Sequence, residues 1–208
     1  EGTVSIADVV LTVRVILGIQ PPPVPVQGTL EYALHDGNGN GSVDVADVIY
    51  QVNRILGRPV DQPLTRVAYA PVTVDLSQPV TSGKGVAVPL SVITGTPVSG
   101  LQLSYTFDPS NMTIGTPVLT AASSDVSLEW HIEDGTLNVI AYSLEGKAIT
   151  LGPESIMIPV TVPEGMRPEI TLTNVVLSDL YGNTVPVVLG QTRVSVAAAP
   201  TAFSLAAA

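Results

Sequence analysis

A segment of eighteen residues occurs twice in this chain, at an offset of 39 positions. Residues 1–18 (EGTVSIADVVLTVRVILG) align with residues 40–57 (NGSVDVADVIYQVNRILG), and nine of the eighteen positions are identical. A repeat at this spacing is typical of two copies of one supersecondary unit that pack together. The first part of the chain is therefore expected to fold as a duplicated unit.

Each copy of the repeat contains a helical pattern. Apolar residues recur at helical spacing, as Val9, Val13, Ile16 and Leu17 in the first copy and as Val48, Val52, Ile55 and Leu56 in the second. Gly18 and Gly57 follow these residues, at the position where a helix takes a left-handed terminal residue. We therefore predict one helix in each copy, ended by glycine.

The twelve residues before the second helix match a calcium-binding loop. Asp36 to Asp47 reads DGNGNGSVDVAD, with oxygen ligands at alternate positions and glycine at the sixth, where the chain must turn sharply. The predicted ligands are the side chains of Asp36, Asn38 and Asn40, the carbonyl of Ser42, and the carboxylates of Asp44 and Asp47. Aspartate at the twelfth position and two neutral asparagines predict weaker binding than in an ordinary EF-hand, suited to extracellular calcium. The alternative is a turn without an ion, since Asn and Gly are favoured in turns.

The first copy of the loop is incomplete in this sequence. Glu1, Thr3, Ser5 and Asp8 correspond to its fifth, seventh, ninth and twelfth positions, so they are the candidate ligands there. The first and third ligands would precede residue 1. We expect either that upstream residues complete this site or that the site is vestigial.

The pattern changes after a short linker that contains Pro59 and Pro63. From Val67 onward, apolar residues alternate with polar ones, and Gly, Pro, Asn, Asp and Ser separate the runs. About nine short strands without intervening helices predict an antiparallel sandwich or barrel. We favour a sandwich because one face of most strands is polar.

Composition excludes several classes of function. The net charge is −10 and only Lys84 and Lys147 are lysines, so the chain lacks the basic surface that nucleic acids require. No run of eighteen apolar residues predicts a membrane span. Cysteine is absent, which excludes disulfides, thiolate zinc sites and cysteine nucleophiles. No nucleophile elbow, phosphate-binding loop or dinucleotide fingerprint occurs, so we predict no catalytic residues and no enzymatic activity.

Residues 1–58 resemble dockerin, a duplicated calcium-binding module in which each repeat is a loop followed by one helix. The resemblance rests on the loop Asp36 to Asp47, the partial loop Glu1 to Asp8, and the repeated ending Ile-Leu-Gly at residues 16–18 and 55–57. It implies Ca²⁺ as the cofactor and a protein partner that contacts the two residues before the last ligand of each loop. Those residues are apolar here, unlike the Ser/Thr pairs of many cellulosomal members: Ile6 and Ala7, and Val45 and Ala46.

Residues 66–197 resemble cohesin, the partner of dockerin, which is a β-sandwich of jelly-roll topology. The resemblance rests on residues 80–90 (VTSGKGVAVPL), 100–110 (GLQLSYTFDPS) and 170–179 (ITLTNVVLSD), in that order. The two resemblances together imply a multidomain chain. It comprises a helical EF-hand-type module at 1–58, a linker at 59–65, an all-β antiparallel sandwich at 66–197 and a tail at 198–208.

A chain with both resemblances carries a binding module (the plug, residues 1–58) and the domain that such a module binds (the socket, residues 66–197). The linker of about eight residues spans at most about 26 Å, and its prolines stiffen it, so we expect the plug not to fold back onto its own socket. Head-to-tail pairing between copies of the chain is then predicted. A contact of that kind which does not close into a ring generates a filament, here an extracellular or cell-surface one of bacterial type.

Two alternatives stay open. Sandwich domains also bind polysaccharides through exposed aromatic platforms, so the chain is alternatively a carbohydrate-binding or adaptor module of a larger cell-surface protein, although Trp130 is its only tryptophan. The tail at 198–208 is either disordered or adds as a strand to a sheet edge of a neighbouring subunit.

Overall fold

The computed structural model describes residues 4–19, 25–60, 69–82, 85–121 and 124–199. Its N-terminal part, which we call the helical module (residues 4–19 and 25–60), contains α1 (Ile6–Leu17), α2 (Leu30–His35) and α3 (Val45–Ile55). The two helices predicted from the repeat are confirmed as α1 and α3. α2 was not predicted, because its six residues are too few to show a helical period.

The predicted glycine endings are also confirmed. Gly18 (φ 77°) and Gly57 (φ 67°) are both left-handed, a conformation that costs glycine no Cβ clash. Arg58 N donates to the carbonyl of Asn53, at 2.9 Å, and Ile19 N to that of Arg14, also at 2.9 Å. These bonds use helix-end carbonyls that would otherwise lack a partner.

α1 and α3 pack against each other through equivalent faces of the repeat. Val9 and Val13 of α1 join Val48 and Val52 of α3 in one buried apolar cluster. Positions 12 and 51 are equivalent in the repeat and meet directly, because Gln51 Nε2 donates to Thr12 Oγ1 at 3.0 Å. Ile55 and Leu56, which the periodicity assigned to the buried stripe, are instead exposed where α3 ends.

Residues 69–199 form a β-sandwich. The described strands are β1 (Val72–Leu76), β2 (Val80–Ser82), β3 (Gly85–Ile93), β4 (Gly100–Phe107), β5 (Thr113–Ile114), β6 (Val118–Leu119), β7 (Val126–Glu133), β8 (Thr136–Ser143), β9 (Ile156–Thr161), β10 (Glu169–Ser178), β11 (Thr184–Val185), β12 (Val187–Leu189) and β13 (Arg193–Ser195). The prediction of about nine strands was too low. Strands of two or three residues, such as β5 and β13, are too short to show an alternating pattern.

The strands form two sheets. The first has the order β12-β1-β3-β9-β5, with β2 also paired to β3 and β6 to β9. The second has the order β11-β10-β4-β8-β7, with β13 also paired to β10. Both contribute side chains to one apolar core, for example Val74 and Leu90 from the first sheet and Leu103 and Leu172 from the second. This arrangement of two sheets over a shared core is a sandwich.

One strand pair departs from the predicted all-antiparallel pairing. β1 and β12 are parallel, with Val72 opposite Val187. β11 belongs to the second sheet and β12 to the first, so the chain changes sheets at Pro186. It therefore reaches β1 by a crossover rather than by a hairpin, which permits a parallel pair.

The helical module lies on the outer face of the second sheet. In β8, Leu137, Val139 and Ala141 face the sandwich core, whereas the alternate residues Ile140 and Tyr142 join the apolar cluster of α1 and α3. Both faces of this sheet are therefore buried at its centre. None of the helices in the described residues is long and apolar enough to cross a membrane.

Candidate metal centre

The predicted metal loop, residues 36–47, connects α2 to α3. α2 is capped by Thr29, whose hydroxyl accepts a hydrogen bond from Tyr32 N at 3.2 Å. α3 begins immediately after Asp44, whose carboxylate accepts from Ala46 N at 2.8 Å. The second repeat is thus helix, loop and helix, and not only the loop and single helix that the resemblance to dockerin implied.

The first half of the loop is folded around its own side-chain oxygens. Asp36 Oδ2 accepts from Gly41 N at 3.0 Å, Asn38 Oδ1 from Asn40 N at 3.0 Å, and Asn40 Oδ1 from Ser42 N at 2.8 Å. Gly41 has a φ of 88°, so the sharp turn predicted at the sixth position is present. These bonds hold three predicted ligands at one end of the loop.

Asp47 closes the loop from the first turn of α3. Its two carboxylate oxygens accept from Asn38 N at 3.1 Å and from Asp44 N at 2.9 Å. The side chain is fully buried. One carboxylate therefore connects the start of the loop to the start of the helix.

The electrostatics of the loop favour a bound cation. Burial, reinforced by the neighbouring carboxylates of Asp44 and Asp36, raises the pKa of Asp47 to about 7, while its two backbone donors oppose the shift. Burial also raises the pKa of Asp44. Asp36 Oδ1 is buried without a hydrogen-bond partner among the described residues. A buried negative charge that lacks a partner is costly, and a cation would supply one.

The available ligands are mixed oxygen donors. Across the described ranges, no group of three or more His, Cys, Asp or Glu side chains is arranged to hold a metal ion. An ion in this loop would therefore also need the amide oxygens of Asn38 and Asn40 and the carbonyl of Ser42. Such all-oxygen sets fit calcium, which accepts many ligands in flexible geometry. Calcium binding itself stays a prediction.

The end of the first loop forms the same capping box as the second, with Ser5 and Asp8 in place of Asp44 and Asp47, but it is exposed. The candidate ligands Glu1 and Thr3 lie outside the described residues. Asp8 is exposed, and its carboxylate accepts from Ser5 N at 2.8 Å and from Ser5 Oγ at 2.7 Å. The hydrogen bonds from Ser5 lower the pKa of Asp8. In this structure Ser5 and Asp8 act together as the N-terminal cap of α1.

The two predicted partner-binding pairs lie in opposite environments. Val45 and Ala46 are fully buried against the chain's own sandwich, whereas Ile6 is 58% exposed. Ala7, beside Ile6, is exposed as well. The structure therefore buries the second pair inside the chain and leaves the first pair at the surface, and partner binding by either pair stays a prediction.

Two glycines of the sandwich let α3 approach the sheet closely. A Cβ at Gly100 would lie 2.7 Å from Val45 Cγ2 and 3.0 Å from Ile49 Cγ1, closer than side-chain atoms normally come. A Cβ at Gly182 would lie 2.9 Å from the carbonyl oxygen of Ala46. Sequence reasoning assigned neither glycine to an interface, although glycine at a strand end or in a turn does signal close backbone approach.

Three polar contacts accompany this packing. Asn38 Nδ2 donates to the carbonyl of Gly182 at 3.1 Å, and Asn53 Nδ2 donates to that of Leu180 at 2.8 Å. Val45 N donates to Gln102 Oε1 at 3.1 Å, which satisfies a donor at the start of α3. Because Asn38 is also a predicted ligand, the metal loop itself touches the sandwich.

The expectation that the helical module would not fold back onto the sandwich of its own chain is wrong. α3 packs on β4, β8 and β10 of the same chain, and α1 packs on β8. The expectation considered only the reach and stiffness of the linker. It overlooked that a module lying flat against the sheet needs little reach. Residues 61–68, which include most of the predicted linker, lie outside the described residues.

Comparisons with known proteins concern the sandwich. No family model matches the chain, and no curated protein matches it significantly. Among solved structures, it is similar to a chain of a type I cohesin–dockerin complex from Clostridium thermocellum, at 16% identity over 61% of this chain and 93% of that chain, with a TM-score of 0.48.

Two further cohesins are similar to a comparable degree. A non-cellulosomal cohesin from Archaeoglobus fulgidus is 15% identical over 61% of this chain and 91% of that chain, with a TM-score of 0.49. The second type II cohesin of a scaffoldin from Acetivibrio cellulolyticus is 13% identical over 64% of this chain and 99% of that chain, with a TM-score of 0.48. At these identities the similarity concerns the fold.

Proposed function

We propose that this chain is a non-catalytic, calcium-dependent assembly protein that acts outside the cell. The observation that carries the proposal is the packing of the helical module on the outer face of the second sheet. Val45, Ile49, Ile140 and Tyr142 are almost completely buried there. An apolar interface between two parts of one chain resembles an interface between two proteins. The chain therefore holds both halves of a recognition pair.

In this proposal, bound calcium holds the helical module in the conformation that packs on the sheet. The ligands would be Asp36, Asn38, Asn40, Asp44 and Asp47, with the carbonyl of Ser42. A bound ion would neutralise the buried carboxylates and hold the loop against the start of α3. Asn38 and Val45 would then be held in the positions from which they bond the sandwich. Removal of the ion should loosen the module from the sheet.

The same interface can form between copies. A module that leaves its own sheet and binds the sheet of a neighbour makes identical contacts, so exchange requires no new surface. Such an exchange is head to tail when each copy gives its module to the next. If the chain of contacts does not close into a ring, it produces a filament. The resemblances of the two parts to dockerin and cohesin support this pairing.

The chemistry of the loop supports an extracellular location. Aspartate at the twelfth position and neutral asparagines reduce the charge that holds the ion, and loops of this kind bind calcium at the concentrations found outside cells. The net charge of −10 keeps separate copies soluble until the specific contact forms.

Light scattering and electron microscopy of the full chain test the proposal. In calcium, we expect oligomers or filaments that grow with protein concentration and that dissociate when a chelator is added. Ile49→Asp should abolish them, because it places a charge in the interface. Val10→Asp, at the equivalent position of α1, should leave them intact. A monodisperse monomer in calcium at high concentration would overturn the assembly role.

A further inference from the structure

One long strand of the sandwich has an open side. β7 (Val126–Glu133) is the last strand of the second sheet, and it pairs with β8 along all eight residues without a bulge. Among the described residues, no strand pairs with its other side. Natural proteins usually shorten, bend or cover such edges, because an open edge is a template for another strand.

The sandwich core is also incompletely covered along β7. Four residues of this strand face the core side but are only partly buried, and Trp130 is 37% exposed. They are Val126, Leu128, Trp130 and Ile132. Their partners in β8 are Ser143, Ala141, Val139 and Leu137, which are all at most 1% exposed. The apolar side chains of β7 are therefore partly exposed to solvent, whereas those of the neighbouring strand β8 are buried.

The backbone groups of the same residues point toward the open side. β7 and β8 are joined by the two-residue turn Asp134-Gly135, with Glu133 opposite Thr136. Both turn residues have positive φ (46° and 74°), as a tight hairpin requires. Residues that flank such a turn bond each other, so the alternate residues direct N–H and C=O away from β8. Leu128, Trp130 and Ile132 are among these alternate residues.

We propose that residues 200–208 of one copy add as an extra strand to the β7 edge of a second copy. This segment, PTAFSLAAA, has no charged residue, whereas the chain as a whole has 26 (8 basic and 18 acidic). Phe203 and Leu205 are two residues apart, so in a strand they lie on one face. That face would cover the half-buried row that includes Leu128 and Trp130.

The last described strand before the donor segment and the acceptor edge lie at opposite edges of the second sheet. Residues 200–208 follow β13, which pairs with β10, and the order β13-β10-β4-β8-β7 places four strand spacings, about 19 Å, between β13 and β7. The outer face of this sheet carries the helical module, and its inner face is the filled core. A donor segment that continues from one edge of the sheet and an acceptor at the other edge favour a contact between copies that continues head to tail.

Hydrogen exchange of the full chain tests this contact independently of the helical module. The backbone amides of Leu128 and Ile132 should be protected, and their protection should increase with protein concentration. Phe203→Asp should remove it, whereas Ala208→Asp, which adds the same charge at the end of the segment, should not. Trp130→Pro removes an outward N–H without removing a bond to β8, so it disables only the acceptor.

A mixture of two variants gives the sharpest result. The Phe203→Asp chain keeps its acceptor edge, and the Trp130→Pro chain keeps its donor segment. Adding the second chain should restore protection of Leu128 and Ile132 in the first. Protection that does not depend on concentration would show that the segment binds its own chain, and would overturn the proposal. Protection that is unaffected by Phe203→Asp, or that is not restored in the mixture, would also overturn it.

Discussion

The two copies of the repeat make helices that use the same inner face but different outer faces. Val9 and Val13 of α1 match Val48 and Val52 of α3, and these four residues hold the helices together. On the outer side, Ile49 of α3 is fully buried against the sandwich, whereas the equivalent Val10 of α1 is 48% exposed. Both helices contact the sheet, but a single repeated pattern gives one helix whose outer face is buried there and one whose outer face is exposed.

The comparison shows which residues of the repeat pack α3 on the sandwich. The apolar positions that pair the helices (9 and 13 in α1, 48 and 52 in α3) are valine in both copies, but most of the positions on the outer side differ. Asn53, which donates to Leu180 in the sandwich, corresponds to Arg14 in α1. Tyr50, which packs on Gly182, corresponds to Leu11. The shared apolar residues define the helix pair, and the differences determine which helix also buries its outer face against the sheet.

The largest expected effect concerns the apolar contacts of the docked helix. Ile49→Ala should lower the free energy of unfolding by about 2–5 kcal/mol, because it leaves a cavity between α3 and the sheet. Val10→Ala, at the equivalent exposed position, should change it by no more than about 0.5 kcal/mol. Urea titration followed by circular dichroism at a helical wavelength measures both. Equal losses would contradict the distinction between the two helices.

The fluorescence of Trp130 provides the control for this pair. It is the only tryptophan and lies in β7, so its signal reports the sandwich and not the helices. If Ile49→Ala acts on docking, the helical signal should be lost at lower urea than the fluorescence signal. A variant whose two signals shift together would instead show that module and sandwich unfold as one unit.

The next largest expected effect is that of calcium on the stability of the helical module, which should depend on the second loop and not on the first. Calcium at about 100 times its dissociation constant should stabilise the helical module by about 2.7 kcal/mol. Asp47→Asn should remove most of this gain, since it changes a buried predicted ligand. Asp8→Asn, at the equivalent position, should cost about 1 kcal/mol as a lost helix cap, equally with and without calcium. Isothermal titration calorimetry and thermal unfolding in calcium and in chelator separate these contributions.

Either of two results would contradict the prediction that calcium binds in the second loop and not in the first. Wild-type protein that takes up no calcium would leave the burial of Asp47 without a functional explanation. A calcium-dependent gain that survives Asp47→Asn but not Asp8→Asn would place the ion in the first loop. Both outcomes are read from the difference between the two conditions, so the stability of each variant without calcium does not obscure them.

Sequence reasoning predicted features that have a local signal. The helices α1 and α3 follow from apolar spacing and terminal glycine, and the turn at Gly41 follows from the spacing of Asx residues in the loop. α2 spans only six residues, which are too few to show such a signal. The parallel β1–β12 pair and the docking of α3 depend on contacts between distant residues, such as Val45 with Gly100. Hydrophobic periodicity does not indicate which distant residues contact each other.

The smallest expected effect comes from a substitution in the sheet, at a residue that faces α3. Gly100→Ala adds a methyl group that would lie 2.7 Å from Val45 and 3.0 Å from Ile49, so either the helix or the strand must shift. Overpacking of this kind costs about 1–3 kcal/mol. Gly95→Ala is the matched control, because a methyl group there would meet nothing within 4 Å. Hydrogen exchange in α3 should accelerate in the first variant only. Because α1 packs on β8 whereas α3 packs on β4, exchange in α1 should respond less, and an equal response in both helices would show that they move as one rigid pair.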